Sequence, residues 1–298
     1  MAQGTTLGLP DGRVLSYAEY GDAAGAPVFY FHGSPGSRLE ARLTDDAARR
    51  LRLRIIAPER PGYGNSTFQA ARTFADWPRD VQALADALAI DRFAVLGLSG
   101  GGPHVAACAV MMPDRLTAAA IVSGAGPVDA YIARSRSRAG RFFRRATLPL
   151  VRMWTSVGIR LMAVGLRRTP ARRMSTYVDP PVLASLEARE AFRDELLEGL
   201  RPGTRGARHE FGLHLRPWPF ALDDVAVEVH LWHGTADRVV KHDIGRYVAS
   251  HLPACRATFV EGEGHLMIVE RIEEILRAVK QTIAEDAISR PRATTTPS

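Results

Sequence analysis

The sequence of 298 residues contains only two cysteines and has no basic leader followed by an apolar stretch. Two cysteines supply neither a disulfide framework nor the spacing of a metal site, and Cys108, inside an alanine-rich stretch, is expected to be a small buried residue. No signal peptide is recognisable, and no apolar run approaches the length of a membrane-spanning helix. These features lead us to expect a cytoplasmic location.

The sequence also lacks a glycine-rich dinucleotide motif after its first strand, a P-loop and any cluster of metal ligands, so we expect no cofactor and no metal. Its net charge of +7 is unevenly distributed, because residues 127–220 contain 18 arginines, no lysine and 8 acidic residues. Nucleic-acid binding would require aromatic residues among the basic ones and a recognisable module, and the sequence shows neither. We therefore expect no nucleic-acid partner.

Alternating strand and helix patterns are present on both sides of this arginine-rich segment. The predicted strands are a hairpin around Pro10-Asp11-Gly12 and the runs 28–31, 54–57, 93–96, 118–123, 228–232 and 257–260. The predicted helices cover 38–51, 73–89, about 103–112, 241–251 and 269–287. Such alternation is typical of right-handed βαβ units and predicts an α/β protein with a parallel sheet.

The alternation stops between residues 127 and 220, where the pattern is helical and is interrupted by seven prolines after Pro127. This segment is too long for a simple connection, so we predict an inserted helical cap. The predicted division is a core of residues 1–126 and 221–288, a cap of 127–220 and a disordered tail of 289–298.

A serine motif lies at the end of the strand 93–96. The run Gly97-Leu98-Ser99-Gly100-Gly101 fits G-x-S-x-G, a sharp strand-to-helix turn that exposes a serine hydroxyl at the edge of a sheet. The neighbouring glycines allow the strand and the helix to approach closely. The motif alone is weak, and its context has to support it.

Other strand-end loops supply that context, because functional groups collect at the carboxyl ends of parallel strands. Asp237 and His265 follow two later strands, and His32-Gly33-Ser34 follows an earlier one. A serine nucleophile needs a base, an orienting carboxylate and N–H donors for the oxyanion. Asp129, which follows the strand 118–123, is an alternative carboxylate.

These motifs resemble those of the α/β-hydrolase superfamily, over residues 5–126 and 221–288. The likeness is to bacterial esterase-like members with an H-G-x-P loop, here His32 to Pro35, and a glycine-rich loop after the next strand. It implies a mostly parallel eight-stranded sheet flanked by helices. It also implies Ser99 as nucleophile, His265 as base and Asp237 as orienting acid. The N–H groups of Ser34 and Gly100 would form the oxyanion hole.

At two motifs this chain differs from particular members of the superfamily. Haloalkane dehalogenases and epoxide hydrolases of this fold have aspartate at the nucleophile position, where this chain has Ser99. Prolyl iminopeptidases resemble the chain less, because their H-G-G-P-G loop differs at Ser34. Candidate substrate-binding residues are His32, His104 and Met267.

The segment 148–166 is the most apolar part of the predicted cap and is flanked by arginines. It predicts either a helix that faces the pocket over Ser99, with its arginines in solvent, or a helix that lies on an anionic membrane surface. We favour the first interpretation, because a cap needs an apolar face over the active site. An apolar lining would suit a hydrophobic acyl or ring-bearing substrate.

The sequence therefore predicts a serine hydrolase that cleaves a small-molecule carboxylic ester through an acyl-enzyme at Ser99. A lactonase or a thioesterase would use the same residues. The remaining alternatives are a cofactor-free biosynthetic catalyst and a ligand-binding protein on the same fold. The sequence makes no prediction of the oligomeric state.

Overall fold

An eight-stranded sheet forms the centre of the computed structural model, which describes residues 4–133 and 138–289. The strands are β1 Thr5–Gly8, β2 Val14–Gly21, β3 Ala26–Phe31, β4 Leu53–Pro58, β5 Phe93–Leu98, β6 Leu116–Val122, β7 Val229–Gly234 and β8 Cys255–Val260. Their order in the sheet is β1-β2-β4-β3-β5-β6-β7-β8. β2 pairs antiparallel with β1 and with β4, and the other neighbours pair in parallel. The predicted α/β class with a mostly parallel sheet is confirmed.

Helices cover both faces of this sheet. They are α1 Asp45–Leu51, α2 Trp77–Ala87, α3 Gly102–Met111, α8 His242–His251 and α9 Ile268–Ser289. Side chains of α1 and α9 pack on one face of the central strands, and those of α2, α3 and α8 pack on the other. Strands β3 and β5 at the centre of the sheet consist almost entirely of apolar residues, because both of their faces are buried. This packing leaves the carboxyl ends of the parallel strands as one open edge.

The predicted helix 38–51 is not a single α-helix. Residues Arg38–Thr44 form a 3-10 helix, and α1 begins only at Asp45. In the 3-10 segment the Tyr20 hydroxyl donates a hydrogen bond to the carbonyl of Arg38 at 3.2 Å, so that a side chain competes for a helical acceptor. Spacing of apolar residues does not distinguish the two helix types over so short a segment.

Between β6 and β7 the described residues form the helices α4 Val128–Ala133, α5 Arg138–Arg168, α6 Leu186–Gly199 and α7 Arg205–His214. We refer to residues 127–220 as the helical insertion. The division of the chain at 126/127 and at 220/221 stays a prediction. Of the predicted tail, Ser289 is the last residue of α9, and residues 290–298 lie outside the described part of the chain.

The helical insertion packs directly on the loop that follows β4 at the sheet edge. The N–H of Gly64, in the loop after β4, donates to the carbonyl of Gly199 in α6 at 3.2 Å. A Cβ at Gly206, in α7, would collide with the carbonyl oxygen of Gly62. Glycine at these positions allows backbone to approach backbone.

The sequence favoured an apolar face of segment 148–166 that covers the pocket over Ser99, and helix α5, which contains this segment, differs from that expectation. Its residues Ile159, Ala163 and Leu166 are buried against α6, α7 and Tyr63. Most of its other large apolar side chains in the described part of the chain are exposed. Apolar periodicity reveals that a helix has an apolar face, but it does not reveal what that face contacts. No helix among residues 4–133 and 138–289 is long and apolar enough to cross a membrane.

Candidate active site

Ser99 lies at the sharp turn between β5 and α3, at the open edge of the sheet. Its φ is +51°, a backbone conformation that costs a non-glycine residue about 1–3 kcal/mol and that the surrounding packing must maintain. A Cβ at Gly97 would lie 2.6 Å from the carbonyl oxygen of Gly101. Glycine at position 97 is therefore required for strand and helix to meet at this angle.

Ser99, His265 and Asp237 form one continuous row of hydrogen-bonding groups. The Nε2 atom of His265 lies 3.0 Å from the Ser99 hydroxyl oxygen, and its Nδ1 atom lies 2.8 Å from Oδ2 of Asp237. Asp237 follows β7, and His265 lies between β8 and α9. The structure thus brings together three predicted residues that are up to 166 positions apart in the chain.

Hydrogen-bond donors surround the carboxylate of Asp237. Its Oδ1 atom accepts the backbone N–H groups of Val239 and Val240 at 2.8 and 2.9 Å. Nε2 of His233 lies 3.3 Å from Oδ2. Burial acts to raise the pKa of Asp237, but the hydrogen bonds from His233 and His265 outweigh it and hold the pKa below its usual range. An ionised carboxylate requires the N–H of His265 on Nδ1, which leaves Nε2 free to accept the Ser99 proton.

Ser34 packs against Gly100, the residue that follows Ser99. A Cβ at Gly100 would be 3.2 Å from the Ser34 nitrogen and would overlap the Ser34 side chain. Gly100 is in the first turn after Ser99, where N–H groups have no intrahelical partner. An N–H group at a helix start, with the loop of Ser34 packed against it, suits a developing negative charge.

Buried charges hold the loop that carries Ser34. Arg60, which follows β4, donates from its guanidinium to the carbonyls of His32 at 2.5 Å and Gly33 at 2.8 Å. From the other side, Glu40 accepts the N–H of Gly33 at 3.0 Å with each carboxylate oxygen. Both peptide groups flanking Gly33 are therefore fixed in orientation.

Glu210 of helix α7 lies at the centre of this charge cluster, and sequence reasoning did not identify it. Its carboxylate is fully buried and accepts hydrogen bonds from Arg60 at 2.7 and 2.9 Å, from Arg72 at 2.6 Å and from the hydroxyl of Ser34. Burial acts to raise the pKa of Glu210, but the charges of Arg60 and Arg72 outweigh it and hold the pKa well below its usual range. A helix of the insertion thus supplies the countercharge beneath the Ser34 loop.

A cavity of about 280 Å³ opens beside Ser99. Residues of the sheet edge and residues of the helical insertion both contribute to its wall. It is lined by Ser34, Ser99, Gly100, Ala125, Val239, Val240, and by Tyr131, Thr155, Phe211, His214 and Leu215. Its volume is slightly below the range usual for drug-sized ligands, so it suits a small substrate. The wall is largely apolar, and Thr155 is the contribution of α5.

The three candidate substrate-binding residues do not line this cavity. His32 and His104 are buried behind the Ser34 loop, and burial together with the charge of Arg60 lowers the pKa of both well below the usual range. Met267 is buried in the core between the sheet and α9. The alternative carboxylate, Asp129, lies in the first turn of α4, whereas the carboxylate that contacts His265 is that of Asp237.

Among residues 4–133 and 138–289, no three His, Cys, Asp or Glu side chains are grouped so that they could hold a metal ion. The hydrogen-bonded row can perform acid–base and nucleophilic chemistry through its own side chains. The serine hydroxyl lies at the cavity, the imidazole contacts it, and the paired N–H groups are adjacent.

Comparison with known proteins gives partial sequence matches. An uncharacterized hydrolase, YcgS of Bacillus subtilis (strain 168), is 31% identical over 106 residues, which cover 36% of each chain. A non-heme chloroperoxidase of Streptomyces lividans is 32% identical over 131 residues, 41% of this chain and 45% of that one. The chain thus spans less than half the length of these relatives.

Similarity of structure extends much further than similarity of sequence. The solved structure of a thermophilic esterase from Thermogutta terrifontis covers 96% of this chain and 99% of its own, with a TM-score of 0.64 and 20% identity. This likeness shows the fold. A family model described as alpha/beta hydrolase fold matches residues 26–272, which is most of the sequence. With its eight-stranded sheet and its serine turn at the sheet edge, the chain belongs to the alpha/beta hydrolase fold family.

Proposed function

We propose that the protein is a serine hydrolase that cleaves carboxylic esters with a small apolar acyl or ring-bearing group. The observation that carries this proposal is the position of His265, which contacts Asp237 at 2.8 Å and Ser99 at 3.0 Å. The adjacent N–H groups of Ser34 and Gly100 support it. A protein that only binds a ligand has no need of such a row.

In the first half of the reaction the Ser99 oxygen attacks the ester carbonyl and forms a C–O bond, while its proton moves to Nε2 of His265. The carbonyl oxygen becomes an oxyanion, which the N–H groups of Ser34 and Gly100 stabilise. The bond to the alcohol then breaks, and the alcohol leaves with the proton from His265. The product is an acyl group on Ser99.

In the second half His265 takes a proton from a water molecule, whose oxygen attacks the acyl carbonyl. The bond to Ser99 then breaks, the serine oxygen regains its proton from His265, and the carboxylic acid leaves. Asp237 stays ionised throughout, because its donors hold its pKa low. Its role is to orient His265 and to stabilise the imidazolium.

The decisive experiment is covalent labelling by a fluorophosphonate probe. We expect one label on the wild type and none on Ser99→Ala, with kcat on p-nitrophenyl acetate reduced by about 10⁶-fold in that variant. Ser123→Ala is a matched control, because Ser123 also follows a strand and has a positive φ of 47° but does not line the cavity. Equal labelling of wild type and Ser99→Ala, or no labelling of the wild type, contradicts the proposal.

A substrate panel addresses the leaving group. Lactones and thioesters react through the same acyl-enzyme, so Ser99 labelling does not distinguish them from esters. These substrate classes are distinguished by comparing kcat/KM for acetyl, butyryl and decanoyl esters with kcat/KM for a lactone and an acetyl thioester. A cavity of about 280 Å³ leads us to expect the short esters to be preferred over the decanoyl ester.

A further inference from the structure

Helix α5 carries a second apolar face that no described part of the protein covers. This face consists of Leu150, Met153, Trp154, Leu161 and Val164, whose exposed fractions lie between 44% and 67%. Their spacing places them along one side of the helix, opposite the buried stripe that begins at Ile159. Scattered exposed apolar residues are normal on protein surfaces, but a continuous stripe of this kind marks an interaction site.

The charge of the helix indicates what this face contacts. Between Arg138 and Arg168 the sequence has eight arginines and no acidic residue. Arg160 and Arg168 are exposed within the same stretch as the apolar stripe. A second copy of the chain packed on this face would bring two such cationic helices together, and their charges would repel. A surface that is both apolar and anionic complements the helix.

We propose that this face of α5 docks on an anionic phospholipid bilayer, with the helix lying in the plane of the interface. Its length, its exposed Trp and Leu side chains and its arginines are those of an interfacial helix. The apolar side chains enter the boundary between headgroups and acyl chains, and the arginines pair with lipid phosphates.

Docking would also place the cavity beside Ser99 within about one helix diameter of the bilayer, because Thr155, on the side of α5 away from the docking face, lines that cavity. An apolar ester dissolved in the bilayer would then have a short path to the site. This consequence rests on the proposed esterase function, whereas docking itself does not.

Co-sedimentation of the full-length protein with vesicles tests the proposal. We expect binding to vesicles of mixed phosphatidylcholine and phosphatidylglycerol, at least tenfold weaker binding to pure phosphatidylcholine, and weaker binding as salt is added. Emission of Trp154 should shift to shorter wavelength on binding, because this residue is 66% exposed in the free protein.

Two double variants separate the contribution of the arginine charges to vesicle binding from that of the apolar side chains. Arg160→Gln/Arg168→Gln should weaken binding by about 30-fold, since each arginine near an anionic surface contributes about fivefold. Trp154→Ser/Leu161→Ser should weaken it by about tenfold or more, through lost apolar burial. Ile288→Ser is the matched control, because Ile288 is an 81% exposed apolar residue on α9, and its binding should equal that of the wild type.

Three outcomes would overturn the proposal: no binding of the wild type to anionic vesicles, equal binding of wild type and variants, or a concentration-dependent dimer that Trp154→Ser/Leu161→Ser abolishes. The last outcome would assign the face to a second copy of the chain. Thermal unfolding of each variant controls for folding. Vesicle binding is measured without any ester, so its failure is distinct from a failure of the Ser99 labelling experiment.

Discussion

The carboxylate of Glu210, on helix α7, accepts a hydrogen bond from the hydroxyl of Ser34, which lies 176 residues earlier in the chain. Arg60 donates both to Glu210 and to the carbonyl of Gly33, so one guanidinium joins the insertion to the loop beside Ser99. In the proposed mechanism the N–H of Ser34 stabilises the oxyanion. Glu210 is then a positioning residue for that N–H, although it does not contact the substrate.

Substitution Glu210→Gln tests this role. We expect kcat to fall by about 10- to 100-fold with little change in KM, because an imperfectly placed oxyanion donor weakens binding of the transition state only. Two buried arginines lose their countercharge, so the free energy of unfolding should fall by about 3 kcal/mol. Steady-state kinetics on p-nitrophenyl acetate and urea unfolding measure the two effects.

The matched control is Glu190→Gln, on the exposed side of α6, which should match the wild type. Ser34→Ala keeps the N–H and removes only the hydroxyl, so a smaller loss of kcat with normal stability is expected even if Glu210→Gln folds poorly. An unchanged kcat in both variants would contradict the positioning role.

For Asp237→Asn we expect kcat to fall by about 10⁴-fold, because the amide no longer holds His265 in the tautomer that accepts the Ser99 proton. Asp243→Asn, which replaces an exposed carboxylate on α8, serves as the control and should leave kcat unchanged. Activity within tenfold of the wild type in Asp237→Asn would assign the orienting role elsewhere.

Asp237 also makes a pH-dependent contribution to stability. Its pKa is lower in the folded protein than in the unfolded chain, where it is about 3.9. The stabilisation is therefore complete above about pH 4 and is lost as the pH falls toward the folded pKa. Urea unfolding below pH 4 should show a shallower decline for Asp237→Asn than for the wild type. Parallel declines would show that the carboxylate contributes nothing there.

Glu40 should make the free energy of unfolding depend on pH in the opposite direction. Its carboxyl is buried and hydrogen-bonded to that of Glu195, and burial raises the pKa of Glu40 to about 7 and that of Glu195 well above its usual range. An unfolded glutamate has a pKa of about 4.3. Between these values the folded protein holds more protons than the unfolded chain, so stability decreases as the pH rises from about 4 to 7.

Replacement of Glu40 by Gln should reduce this decrease, measured as the urea midpoint at pH values from 5 to 8. The exposed Glu187, replaced by Gln, provides the control and should keep the slope of the wild type. Superimposable curves for Glu40→Gln and the wild type would show that the buried pair does not titrate in this range.

His214 brings an imidazole into the largely apolar wall of the cavity. Burial lowers its pKa to about 4, so the ring is neutral at physiological pH and can bond a polar group of the substrate. We expect His214→Phe to lower kcat/KM by about 5- to 100-fold for hydroxy- or alkoxy-substituted esters and to spare simple alkyl esters. Leu215→Ile, at the neighbouring wall position, should affect both groups equally. A uniform effect of His214→Phe would indicate a role in cavity shape alone.

The sequence was sufficient to predict the sheet and the residues that meet at its edge. Ser99, Asp237 and His265 each follow a strand, and parallel strands end at a common edge, so their proximity follows from topology. The same rule indicated the loop His32-Gly33-Ser34, whereas the roles of the Ser34 and Gly100 N–H groups came from the resemblance to the α/β-hydrolase superfamily. Their catalytic roles stay predictions, but their juxtaposition did not require a structure.

Residues of the helical insertion were less predictable. Glu210 lies in a helix without a motif, and its contact with Arg60 depends on how α7 packs on loops 150 residues earlier. The same packing brings His214 and Thr155 to the cavity. Helix α5 shows the corresponding ambiguity, because its amphipathic pattern fits a buried face and a membrane face equally well.

The buried cluster around Glu210 limits how far the two parts of this protein are interchangeable. A chain that lacked residues 127–220, or that carried another insertion in their place, would retain Arg60 and Arg72 without their countercharge. We therefore expect a chain with the helical insertion removed or exchanged to keep its fold near Ser99 only if the replacement provides an acidic side chain at the position of Glu210. The helical insertion therefore cannot be exchanged without affecting the loop beside Ser99, because Glu210 accepts hydrogen bonds from both Ser34 and Arg60.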